Sequence, residues 1–145
     1  MCRPGTAGVI GHAWSPDLLS WEVRRPLTEP SGFGQLEVPQ VVSTARGRAL
    51  VFSFDPRGLP SAGDGIQRRS STDLAPARGP LGPFDIERAV PVGPTDTYAG
   101  RLARDRRGQL HLVAFVNAGP DGFVGELADP VPLDAIWPRR WDADV

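Results

Sequence analysis

The sequence predicts an all-β fold, and three observations carry that prediction. Seventeen glycines and 16 prolines are spread through 145 residues, which places a corner every few residues and favours short strands over long helices. The apolar residues come in short runs bounded by those corners, clearest in the stretches LEVPQVVSTARGRALVFSF and TYAGRLARDRRGQLHLVAFVN. Each of these reads as two antiparallel strands around a tight turn. Finally, the two stretches repeat: with Gly47 laid on Gly108 (108 − 47 = 61), Glu37 falls on Tyr98 and Leu50, Phe52 and Phe54 fall on His111, Val113 and Phe115.

In chain order, residues 1–7 read as loop, Gly8 to Ser15 as a strand, and Ser15 to Leu19 as a turn in which Asp17 can accept backbone N–H groups. Trp21 to Leu27 reads as the next strand, stopped by Pro26 and Pro30, and the hairpin within Gly32 to Phe54 follows. Residues 55–65 form a polar loop, Ile66 to Ser71 a short strand, and Thr72 to Pro83 a second loop. Phe84 to Val92 has weak strand character, and the second hairpin spans Thr97 to Asn117. Phe123 to Asp129 and Val131 to Ile136 complete the readable elements, with WPRRWDADV expected as a surface strap or a frayed end.

Two further echoes strengthen the repeat. Gly11 to Pro16 matches Gly125 to Pro130 (125 − 11 = 114), and Ser15 to Leu18 matches Ser71 to Leu74 (71 − 15 = 56). Four short antiparallel strands repeated at such spacings describe the blades of a β-propeller. The chain is expected to hold about two and a half four-stranded blades of a partial β-propeller: a half blade over 8–27, a full blade over 32–92 and a final blade over 96–137. Propellers use about four to eight blades. An open wedge leaves strand edges and blade faces uncovered. The chain is therefore expected to belong to a larger propeller or to close one by self-association through exposed blade edges.

Composition excludes several function classes. With 16 Lys and Arg against 17 Asp and Glu, the formal net charge is −1, which gives no footprint for nucleic acid or for a polybasic membrane contact. No apolar run approaches the ~18 residues of a membrane span, and no signal-peptide pattern opens the chain, so a cytoplasmic location is the expectation for the sequence as it stands. Cys2 is the single cysteine, so no intrachain disulfide is possible. His12 and His111 have no neighbour at ligand spacing, so no metal and no cofactor are expected. The serines lack a Gly-x-Ser-x-Gly elbow.

One carboxylate stands out. Glu37 sits among Leu36, Val38, Pro39, Val41 and Val42, where it must find partners, become desolvated or point outward. A carboxyl group kept protonated near neutral pH is what a general acid needs.

The run GVIGHAWSPDLLSWEV followed by GFGQLEVPQVV resembles glycoside hydrolase family 32, the β-fructosidases, sucrases and levanases, which have a five-bladed propeller. Leu36-Glu37-Val38-Pro39 resembles the family's Glu-Cys-Pro motif, with valine in place of cysteine, and Asp96-Thr97-Tyr98-Ala99 resembles its Asp-Phe-Tyr-Ala segment. The resemblance covers residues 8–137 and implies Glu37 as the acid/base, with Tyr98 and Asp96 as substrate-binding residues in a cleft for a fructoside or related furanoside. The family's nucleophilic aspartate and its Arg-Asp-Pro segment have no counterpart in these 145 residues. Retaining glycosidases need two carboxyl groups about 5–5.5 Å apart. The polypeptide is therefore expected to have little hydrolase activity by itself.

Bland roles compete for the same residues: strand packing for Tyr98, a turn cap for Asp96, and core packing for Trp21. The paired arginines 24–25, 68–69 and 106–107 read as solvated edge charges. Alternatives to the hydrolase fragment are a non-catalytic carbohydrate-binding remnant, an arabinanase-like propeller fragment, and a half-propeller that self-assembles.

Overall fold

The computed structural model describes residues 8–54, 71–139 and 141. The all-β expectation holds: described residues form antiparallel sheets, with one α-helical turn near the end. Strands β1 (His12–Trp14) and β2 (Glu22–Arg24) make a two-stranded sheet. Strands β3 (Glu37–Thr44), β4 (Gly47–Phe54), β5 (Ser71–Ala77) and β6 (Val90–Val92) pair in that order as a four-stranded sheet. In the last sheet β7 (Thr97–Arg104) pairs with β8 (Leu110–Gly119), while β9 (Gly122–Leu127) and β10 (Val131–Pro132) both pair along the other edge of β8. Helix α1 (Leu133–Ile136) follows.

The β3–β6 sheet is buried on both faces. On one side Leu50, Phe52, Phe54 and Ala75 pack with Ile10 and Phe33 from the N-terminal segment. On the other, Val42, Ala49, Val51 and Leu74 pack with Leu102 and Leu112 of the last sheet and with Leu133, Trp137 and Trp141. This explains why β4 reads ALVFSF without alternation: a strand covered on both faces has no solvent side to mark. Each fully buried Leu or Phe contributes about 1.5–3 kcal/mol relative to an exposed one.

Three local expectations are corrected. The stretch from Thr72, read as loop, is the third strand of its sheet, with Thr72, Asp73, Leu74 and Ala75 all buried. Its resemblance to Ser15–Leu18 is therefore one of letters only, because residues 16–20 form a bend in which Asp17 accepts the N–H groups of Leu19 and Ser20. Those two hydrogen bonds stabilise the ionised carboxylate and hold the Asp17 carboxyl below its ordinary value. The expected surface strap instead buries Trp137 and Trp141 in the core, their rings edge-to-face at 5.5 Å. Conversely, Trp21, read as core, is 58% exposed. The strand expected over 66–71 falls outside the described residues except for Ser71, as do Arg68 and Arg69.

The repeat has a geometric counterpart. Strand β3 carries a bulge between Glu37 and Gln40, and β7 carries one between Tyr98 and Arg101, both displaced by 61 (98 − 37 = 61). The second strands run at 62, since Gln40 opposes Val51 and Arg101 opposes Val113 (113 − 51 = 62). A longer turn before β8 absorbs the extra residue. Thus Leu50 and Phe52 correspond to Leu112 and Ala114, not to His111 and Val113.

Candidate functional site

Glu37 opens β3, the edge strand of its sheet, and is half-buried. Its partner across the ladder is Ser53, so the two share a face of the sheet. On that face the Ser53 and Thr72 hydroxyls lie 3.2 Å apart, and Thr72 Oγ1 accepts the N–H of Gly100 on β7 at 3.1 Å. Glu37 therefore stands on the face of the β3–β6 sheet that β7 packs against.

The backbone that aims Glu37 is strained. Val38 has φ 45°, and Ala99, its counterpart in β7, has φ 52°. A β-branched residue at positive φ is a genuine outlier, and the cost of such a position is of order 1–3 kcal/mol. The neighbouring sheet holds the bulge in place. Arg101 Nη1 donates to the carbonyls of Val38 and Pro39, each at 3.0 Å. Gln40 Nε2 donates to the Leu102 carbonyl at 3.0 Å, and the Leu102 N–H donates back to Gln40 Oε1 at 2.8 Å. Four hydrogen bonds thus clamp one bulged edge strand to the next.

Tyr98 occupies the equivalent bulge but on the last sheet, opposite Phe115, which in turn opposes Leu127. It is half-buried and lies on the face of that sheet turned away from β3–β6. Glu37 and Tyr98 are thus equivalent positions one sheet apart.

Asp96 goes elsewhere. It lines a cleft of about 730 Å³ with Phe33, Phe54, Ser71, Asp73 and Glu87, among others, and neither Glu37 nor Tyr98 lines it. Asp96 has φ 63°, and its carbonyl accepts the Asn117 N–H at 2.9 Å. Asp73 is the residue that sequence reasoning missed. It is only 4% exposed, beside the Phe33 and Phe54 rings, and accepts the Ser71 hydroxyl at 2.5 Å. Reading 71–77 as a strand would have placed Asp73 on the side of Phe52, its ladder partner, and marked it as a buried carboxylate. The cleft combines the apolar walls of Phe33, Phe54 and Ile86 with Asp73, Glu87 and Asp96 among its lining residues.

Among the described residues no group of three or more His, Cys, Asp or Glu side chains is placed to hold a metal ion. No described helix is long and apolar enough to cross a membrane. No protein-family model, curated protein or solved structure matches the chain.

Proposed function

We propose that the chain is a carbohydrate-directed unit of the glycosidase type, its sheets being blades of a propeller like those of glycoside hydrolase family 32. In this reading Glu37 is the proton donor and acceptor toward a furanoside. The observation that carries it is the bulge at Glu37: a half-buried carboxylate is followed directly by a valine at φ 45° and clamped by Arg101 and Gln40. Bulges re-aim side chains beside active sites, and retained strain points to use. The stacking favours radial repetition as well. The face that Leu50 and Phe52 turn toward the N-terminal segment corresponds to the face that Leu112 and Ala114 turn toward β3–β6. The same side of each four-stranded sheet therefore packs on the part of the chain that precedes it. The Asp73–Asp96 cleft has no part in this reading, because Asp73 lies on the opposite face of the β3–β6 sheet from Glu37.

Titration with fructo-oligosaccharides, followed by amide and side-chain NMR shifts, tests the reading. Saturable shifts at Glu37 and its neighbours are expected, weakened about tenfold by Glu37→Gln, with turnover near background for both proteins because no second catalytic carboxylate is matched to the family pattern. Binding of arabino-oligosaccharides in place of fructo-oligosaccharides would move the assignment to the arabinanase-like class. Absence of any furanoside response, or equal response in Glu37→Gln, sinks the role given to Glu37.

A second reading rests on the outer faces. Phe123 and Leu127 are exposed on β9, and Trp14, Trp21 and Val23 are exposed in and beside the β1–β2 sheet. The face of β3–β6 that receives β7 (Val42, Ala49, Val51) corresponds to the open face of the last sheet (Ala103, His111, Val113). A second copy could continue the stack there, a head-to-tail contact that either closes a ring or propagates.

A further inference from the structure

The β1–β2 hairpin stands out from the rest of the fold. Its sheet has two strands, whereas the other two sheets have four each. From Ala13 to Pro26 every residue except Ser15 is exposed. The base is tied down by the Leu27 N–H, which donates to the Ile10 carbonyl at 2.9 Å, and by the Ile10 N–H, which donates to Thr28 Oγ1 at 2.9 Å. A lone two-stranded hairpin is marginal in water, and further strands are what make such a sheet stable. The turn is ordered from within: Ser15 Oγ accepts the N–H groups of Asp17 and Leu18, and Asp17 Oδ1 those of Leu19 and Ser20. An arm held in shape before it meets a partner loses little freedom on contact.

Each strand of the arm has one edge unpaired among the described residues, and the sequence of β2 distinguishes them. It reads Glu22-Val23-Arg24. Laid antiparallel on a second copy of itself about Val23, it sets Glu22 opposite the other copy's Arg24 and Arg24 opposite the other copy's Glu22, with valine on valine. Opposite charges in cross-strand register attract, and like charges there repel. Within one copy Arg24 Nη2 already donates to Glu22 Oε2 at 3.2 Å, so pairing closes an alternating square of four charges and needs no excess of either sign. The same register brings Trp21 opposite Arg25, where a guanidinium can lie over an indole. Strand β1 has no such complement, because pairing about Ala13 sets His12 against Trp14.

We propose that two copies of the chain join through β2, edge to edge about a twofold axis at Val23, to complete a four-stranded sheet ordered β1–β2–β2–β1. The contact closes at two copies, unlike the head-to-tail stacking above. It involves neither Glu37 nor β9, so it stands or falls without either earlier reading. Being short, it lies at the weak end of protein contacts, with a dissociation constant of order 0.1–1 mM.

The test follows the amide NMR shifts of the full chain from dilute solution to about 2 mM. Saturable, concentration-dependent shifts over residues 21–25 are expected, with β9 still. Glu22→Arg and, separately, Arg24→Glu should each weaken association about tenfold or more, since each sets like charges opposite one another. An equimolar mixture of those two variants restores every opposite-charge pair and should associate as the unaltered chain does, a recovery that misfolded variants could not give. In a Cys2→Ser background, Val23→Cys should form an intermolecular disulfide on oxidation and Ala13→Cys should not, because residue 23 alone meets its own copy across the axis. Absence of concentration-dependent shifts, shifts confined to β9, charge variants that associate like the unaltered chain, or equal cross-linking at positions 13 and 23 overturns the proposal.

Discussion

The β3–β6 sheet and the β7–β10 sheet share a ladder but not an environment. Both begin with a bulged edge strand, and both turn through a glycine at positive φ, Gly47 and Gly108. Yet β4 is buried from Ala49 to Phe54, whereas β8 has Leu112 and Ala114 buried and its neighbours only half so. The difference comes from position in the stack: among the described residues, the first sheet has protein packed on both faces and the second on one. Equivalent residues therefore carry unequal weight. Phe52, with no exposed surface and edge-to-face on Phe33 at 5.2 Å, corresponds to Ala114 in the other sheet (114 − 52 = 62).

The sharpest way to probe that inequality is to exchange the pair. Phe52→Ala should cost about 3–5 kcal/mol, the usual toll of deleting a buried phenyl ring, measured as a fall in denaturant midpoint. Ala114→Phe should also destabilise, by about 1–3 kcal/mol, because the sheets have already closed on the small residue. Equal and negligible effects would mean that the two ladders are interchangeable and that stacking does not set their burial.

A smaller effect is expected at the seam between the sheets. Gly100 lies against Thr72, and a Cβ there would stand 2.6 Å from Thr72 Cγ2 and closer still to Oγ1. Gly100→Ala should cost about 1–3 kcal/mol through overpacking. At the equivalent position in the first sheet stands Pro39 (100 − 61 = 39), which is exposed; Pro39→Ala should stay within about 0.5 kcal/mol. A tolerated Gly100→Ala, read from the same melting experiment, would say that the seam yields easily.

Legibility followed the same divide. The two hairpins could be read because alternating or continuous apolar runs end at Gly47 and Gly108, where turns need positive φ. Strand β5 could not, because Asp73 and Pro76 look like breakers. In the fold Asp73 is satisfied by Ser71, and Pro76 lies past Leu74, the last residue paired with β6, where a missing N–H is cheap. The tail was misread for a related reason. A Pro-Arg-Arg run suggests surface, but the tryptophans on either side of it are what pack. At the candidate site, Glu37 was visible as an odd charge in an apolar strand, while the strain at Val38 and the burial of Asp73 arise only from pairing.

The smallest change in stability is expected on the open face, and there it separates folding from assembly. Phe123 is 76% exposed and Leu127 74%, so Phe123→Ser and Leu127→Ser remove little surface that folding had taken from water and should alter stability by no more than about 0.5 kcal/mol. If a second copy continues the stack, the same substitutions remove apolar area from its contact. Light scattering should then show mass rising with concentration for the unaltered chain and staying monomeric for the double variant. A monodisperse monomer in both cases would mean that the open face of β7–β10 is not joined by another copy of the chain. The inequality between the sheets would then be a lasting property of the molecule in solution.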